Sequence, residues 1–156
     1  PLMQRHHHRG FTLLEIMVVV AIVALATASV TLALRDDSGT RLEREALRLS
    51  ALIESARAQS RTSGLPVVWR VRPDGFEFIG LPRPREGSRP AGVSDGPQRW
   101  LNPDTSARVL QPPGADSLML GPEPLVPAQR VVIGLGDRRL VLGTDGLGPF
   151  TVVTEP

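Results

Sequence analysis

Glu15 is the one ionisable side chain between Phe11 and Leu34, and its chemistry is that of a carboxylate in need of a cation. An unpaired acid in a membrane-length apolar helix costs roughly 2.5 to 3.5 kcal/mol at the bilayer centre and less near an end. A residue of this type at this place calls for a partner. Elsewhere the chain offers little that could make or break bonds. His6, His7 and His8 are the only histidines, they precede the apolar run, and they read as part of a flexible basic segment rather than a metal site. There is no cysteine, and no Walker or H-E-x-x-H pattern. Asp36 and Asp37 read as a solvated break rather than as a paired acid and base. Asp137, Asp145 and Glu155 are too sparse to converge the several oxygens that calcium requires, so neither metal nor cofactor is expected.

The element that positions Glu15 is long. Ile16 to Leu34 is a stretch of nineteen uncharged residues, which as a helix extends roughly 28 Å, close to the ~30 Å hydrocarbon thickness of a bilayer. Arg5 and Arg9 flank its N-terminal side, and Asp36 with Asp37 offsets Arg35 on the other, so the positive-inside bias leaves the N-terminus in the cytoplasm. Three readings of the run compete. It is a cleaved secretory signal, for which Ala24-Leu25-Ala26 and Ala26-Thr27-Ala28 supply A-x-A triplets; a plain membrane anchor; or a buried core helix. None of the three explains Glu15.

The junction Gly10-Phe11-Thr12-Leu13-Leu14-Glu15, after a short basic leader and before an apolar helix, resembles the class III signal of type IV pilins and type II secretion pseudopilins. The resemblance implies that a prepilin peptidase cuts after Gly10 and N-methylates Phe11, and that the apolar helix is kept as the packing spine of a filament. It implies in turn that the new α-amino group of Phe11, mostly protonated near neutral pH, pairs with Glu15 within one helix or between subunits and sets the register of assembly. Loss of the leader removes Arg5 and Arg9, leaving 16 arginines against 16 acidic residues. No positive excess of the kind that marks nucleic-acid-binding domains then remains.

Residues 1–10 are thus expected as a cytoplasmic leader, 11–34 as a transmembrane and filament-core helix, 35–63 as an amphipathic helix and 64–156 as a periplasmic β-rich head. Thr40 and Glu43 have the T-x-x-E spacing of a capping box. Leu42, Ala46, Leu49, Ile53 and Ala56 form an apolar stripe at spacings of three and four, which predicts packing on a sheet. Ser38-Gly39 permits a hinge, but a nearly continuous helix over about residues 11 to 62 is expected.

After Ser63-Gly64 the pattern changes to strands. Leu65 to Val71 and Phe76 to Ile79 around Pro73-Asp74-Gly75 read as a hairpin whose Trp69, Phe76 and Phe78 serve packing. Arg99 to Leu101, Ala107 to Leu110, Ser117 to Leu120, Gln129 to Gly134, Arg138 to Gly143 and Phe150 to Thr154 are further strand candidates. The fold class is α+β, pilin-like: a long N-terminal helix packed on an antiparallel β-sandwich head. Leu81 to Pro97, with four prolines and three glycines, reads as a solvated loop. Its Arg83, Arg85 and Arg89, with Arg99 beyond it, are candidate partner contacts.

Within the head, Leu65 to Trp69, Asp74 to Phe78, Arg99-Trp100, Gly121-Pro122-Glu123-Pro124 and Leu142 to Phe150 are similar to GspH-type minor pseudopilins of type II secretion systems. That resemblance implies a low-abundance structural subunit near the tip of a periplasmic pseudopilus, single-pass in the inner membrane. Its implied partners are the prepilin peptidase, the other minor and the major pseudopilins and the inner-membrane assembly platform, with no catalysis and no nucleic acid. Two alternatives remain: a minor type IV pilin for adhesion, twitching or DNA uptake, and a membrane-anchored periplasmic enzyme.

Overall fold

The structure, a computed structural model, describes residues 12–83, 87 and 93–153, with the backbone alone for 31–36. Helix α1 spans Leu13–Ser63. Thr12 caps it: its Oγ1 accepts the Glu15 N–H at 3.3 Å, and its carbonyl accepts those of Glu15 and Ile16 at 3.0 and 3.3 Å. Such a cap satisfies donors that the first turn leaves without intrahelical partners. The T-x-x-E spacing therefore opens the helix at Thr12 and Glu15 and not at Thr40 and Glu43. Thr40 lies within a helix already running, where backbone donors have carbonyls one turn back. Ser38-Gly39 does not interrupt it. The helix ends where Gly64, at φ 69°, donates its N–H to the Ser60 carbonyl at 2.9 Å, a left-handed C-terminal cap that suits a residue without Cβ.

Two compact units meet between Asp37 and Ser38. The first consists, among the described residues, of the apolar part of α1. The second, Ser38–Pro156, contains, among the described residues, the rest of α1 and eight strands: β1 Val68–Arg72, β2 Gly75–Ile79, β3 Gly96–Arg99, β4 Ser106–Gln111, β5 Ser117–Met119, β6 Gln129–Leu135, β7 Arg138–Thr144 and β8 Thr151–Val153. They form two antiparallel sheets, ordered β3-β2-β1-β5 and β4-β6-β7-β8.

The core lies inside this second unit. All five residues of the helical stripe are buried, and they join the inward positions of both sheets: Trp69, Phe76, Phe78 and Leu118 from one, Val131, Ile133 and Leu142 from the other. Phe76 is the hub, with ring centroids 6.0 Å from Trp69, 5.8 Å from Phe78 and 4.8 Å from Trp100, within the range of favourable aromatic pairing. Gln129 links the sheets. Its side-chain amide donates to the Met119 carbonyl and accepts the Met119 N–H, both at 2.8 Å, and so occupies the edge of β5 as a backbone would.

The strand expected at Arg99 to Leu101 lies earlier, at Gly96–Arg99, with Trp100 and Leu101 beyond its end. Pro97 argued for a loop because it lacks an N–H. It is tolerated because β3 is an edge strand, where one side of the ladder needs no donor. Register also explains Gly75: a Cβ there would collide with the Gln98 carbonyl of β3.

Candidate functional site

At the N-terminal end, Glu15 lies exposed in the first turn of α1, where a carboxylate also suits the positive end of the helix dipole. Leu13–Val30 is long and apolar enough to cross a membrane, and none of it is buried in the protein, which removes the core-helix reading. Two hydroxyls in this run are satisfied within it: Thr27 donates to the Val23 carbonyl at 2.8 Å and Ser29 to that of Leu25 at 2.9 Å. A helix surrounded by hydrocarbon must satisfy polar groups internally in this way. Gly10, Phe11 and the three histidines lie outside the described residues, as do Arg85 and Arg89.

In the second unit, α1 grips two loops with the same device used twice. Glu45 and Arg48 form the first pair, Glu54 and Arg57 the second, each at i, i+3, with N–O distances of 2.8 and 3.0 Å. Glu45 Oε2 accepts the Leu101 N–H at 2.7 Å while Arg48 donates to the Arg99 carbonyl at 3.2 Å and sits 5.6 Å from the Phe76 ring centroid. Glu54 Oε1 accepts the Phe150 N–H at 2.9 Å while Arg57 donates to the Gly148 carbonyl at 3.0 Å and sits 5.8 Å from the Phe150 ring centroid. Each carboxylate takes a loop N–H, each guanidinium takes a loop carbonyl and covers an aromatic face. Sequence reading left these four residues as undifferentiated charges. The signal that marks them is the repeated E-x-x-R at 45–48 and 54–57, flanking the buried stripe.

The second loop is shaped for this grip. Asp145 Oδ1 accepts the N–H groups of Leu147 and Gly148 at 2.9 and 2.8 Å, and these two donors, Gly148 first, hold its carboxyl below the usual carboxylate range. Thr144 Oγ1 donates to the Gly148 carbonyl at 2.7 Å, and Ser50 Oγ donates to that of Phe150 at 2.5 Å. Gly146, at φ 96°, allows the loop to lie against the Val126 carbonyl, which a Cβ would strike.

Glu77 on β2 lies under two arginines of β1. Arg70 donates to its Oε1 through Nε and Nη2 at 2.9 and 2.7 Å, and Arg72 to Oε2 at 3.2 Å. The Arg70 hydrogen bonds are the main reason its carboxyl is held below the usual range, against the opposing effect of burial. Arg83 and Arg99 are exposed on separate segments. Arg99 pairs with Gly75, which pairs with Arg72, so the sheet places Arg99 in one row with Arg72. Asp95 accepts the N–H groups of Gly80 and Leu81 at 3.0 and 3.3 Å. It thereby ties together the two ends of the proline-rich connection.

A family model described as the prokaryotic N-terminal methylation motif matches residues 5–31. Among solved structures, the type IV minor pilin FimU of Pseudomonas aeruginosa (strain PAO1) aligns over 77% of this chain and 90% of its own with a TM-score of 0.51, at 14% identity. The chain has a pilin-like fold. Two proteins share sequence with it over part of their length. The pilin-like chain is 35% identical over 78 residues to type II secretion system protein H of Aeromonas hydrophila, which is 49% of this chain and 43% of the relative. It is 40% identical over 80 residues to type II secretion system protein H of Escherichia coli (strain K12), covering 45% of this chain and 47% of the relative. The matched region thus spans about half the length of these curated relatives.

Proposed function

We propose that this chain is a minor pseudopilin of a type II secretion system, a structural subunit near the tip of the periplasmic pseudopilus that helps to export folded proteins across the outer membrane. The observation that carries the reading is the joining of a methylation-type N-terminus to a pilin-like fold, in a chain whose sequence relatives are named type II secretion system protein H. In this reading residues 1–10 are removed by the prepilin peptidase and Phe11 becomes the methylated N-terminus. Residues 11–34 anchor the chain in the inner membrane and then pack in the filament. The head from residue 64, carried on the amphipathic helix 35–63, lies in the periplasm.

The cation that Glu15 calls for is supplied by that maturation. A new amine at Phe11 stands four residues from the carboxylate, within reach along one helix or across a subunit boundary, and pairing lowers the cost of both charges in hydrocarbon. The role is assembly and not catalysis. Its partners are the other minor and the major pseudopilins and the inner-membrane assembly platform, while the motor belongs to other proteins.

Mass spectrometry of the chain purified from its own cells, together with an export assay in cells lacking it, tests this reading. A mature chain beginning with methyl-Phe11, and loss of exoprotein export restored by the intact gene, are expected. A product trimmed near Ala28, or unaffected export in the deletion strain, would overturn it.

A further inference from the structure

The outward face of the β4-β6-β7-β8 sheet is organised around two glycines. Register places Arg108, Val132, Val141 and Val153 in one row across the four strands, with Arg130 and Gly143 in the row on one side and Gly134 and Arg139 in the row on the other. Their neighbours Val131, Ile133 and Leu142 are buried in the core, which fixes this set as the outward one. The three valines are half-buried and the three arginines exposed.

At Gly134 a Cβ would lie 2.9 Å from Arg139 Cδ, and at Gly143 one would lie 3.1 Å from both Arg130 Cγ and Val153 Cγ2. Arginine stems therefore lie over the gaps that the glycines leave, and they widen the apolar surface while their charged ends stay at its border. Arg139 is further fixed by donating to the carbonyls of Gly136 and Arg138, both at 2.8 Å. Two open depressions result, about 550 Å³ beside Gly134 and about 480 Å³ beside Gly143. The strand positions of this face carry no carboxylate among the described residues. Asp145 reaches the border of the second depression, but its Oδ1 is committed to the Leu147 and Gly148 N–H groups.

We propose that this valine trough ringed by Arg108, Arg130 and Arg139 docks an acidic segment of another protein subunit, one that presents an apolar side chain between carboxylates. The inference rests on the assembly reading for the nature of the partner and adds to it the surface and the chemistry that selects the partner. Three cations on a face whose described strand positions carry no carboxylate select a negatively charged surface. The apolar centre selects a protein over a single-stranded nucleic acid, because such strands are gripped by aromatic stacking and the described strand positions of this face carry no aromatic residue. Arginines already laid over glycine lose less freedom on binding than free side chains do.

The chain has no cysteine, so Val141→Cys in the full-length protein gives a single attachment point for a benzophenone-maleimide photocrosslinker in its own cells. One dominant protein adduct is expected, joined through a peptide with Asp or Glu beside an apolar residue. Its yield should fall about tenfold when Arg108, Arg130 and Arg139 are changed together to Glu. The single variants Arg108→Glu and Arg130→Glu, at exposed side chains, should give smaller losses in the same direction and serve if the triple variant does not fold. Absence of an adduct, a nucleic-acid adduct, or a yield unchanged by charge reversal would overturn the inference. Export that proceeds normally without any adduct counts against this surface alone. A charge-dependent adduct in cells whose export does not need the chain counts against the secretion reading alone.

Discussion

The carboxylate of Glu54 accepts the backbone N–H of Phe150 at 2.9 Å across 96 residues of sequence, and nine residues earlier Glu45 does the same for Leu101 at 2.7 Å. These bonds attach the helix directly to loop backbone. Replacing Glu45, which is 1% exposed, with Ala should cost about 1 to 2 kcal/mol, the lower part of the range for leaving a donor without its acceptor, because the Leu101 bond is only partly buried. The cost stays below that of breaking a fully buried ion pair because the Arg48 side chain, 29% exposed, can still reach water. Thermal unfolding should show a midpoint lowered by several degrees. An unchanged midpoint would mean that the clamp is geometry without consequence.

Glu77 should make the head acid-sensitive. Its folded-state pKa lies below its unfolded value, chiefly through the Arg70 hydrogen bonds, so its contribution is complete above the unfolded pKa and is lost as pH falls through the folded one. Asp145 acts with the same sign through Gly148 and Leu147. Glu77→Gln should therefore be less stable than the parent near neutral pH, with the gap closing on acidification. Midpoints measured from neutral to strongly acidic pH should converge, and parallel curves would count against the assignment.

Glu15→Ala should leave membrane insertion intact, since it removes a charge from an otherwise uncharged run, and should lower incorporation into filaments. Fractionation of membranes beside sheared filaments separates the two effects. Normal incorporation would argue that the carboxylate serves only the first turn, beside the cap that Thr12 already supplies.

Truncation gives a sharper view of the core. A chain beginning at Ser38 should remain soluble and fold cooperatively, because it keeps Leu42, Ala46, Leu49, Ile53 and Ala56. Starting at Leu65 should uncover Trp69, Phe76 and Phe78 together, a patch large enough to aggregate. Light scattering of the two fragments distinguishes them, and a soluble Leu65–Pro156 fragment would show that the helix is dispensable to the core.

What sequence alone determined here is what local physics governs. Hydropathy marks the run behind Glu15, the three-and-four spacing from Leu42 to Ala56 marks the buried stripe, and Pro73-Asp74-Gly75 between β-rich segments marks the first hairpin. Each depends on residues within a turn or two of one another. Tertiary structure decided the rest, because strand register and loop placement join residues far apart in the chain. Pro97 reads as a breaker until its strand is seen to be an edge. Arg99 reads only as a cation at the start of a short strand until register sets it across Gly75 from Arg72. Glu54 reads as one helical charge among many until Phe150 arrives beside it, and Arg108, Arg130 and Arg139 surround one trough only because four strands pair in one particular alignment.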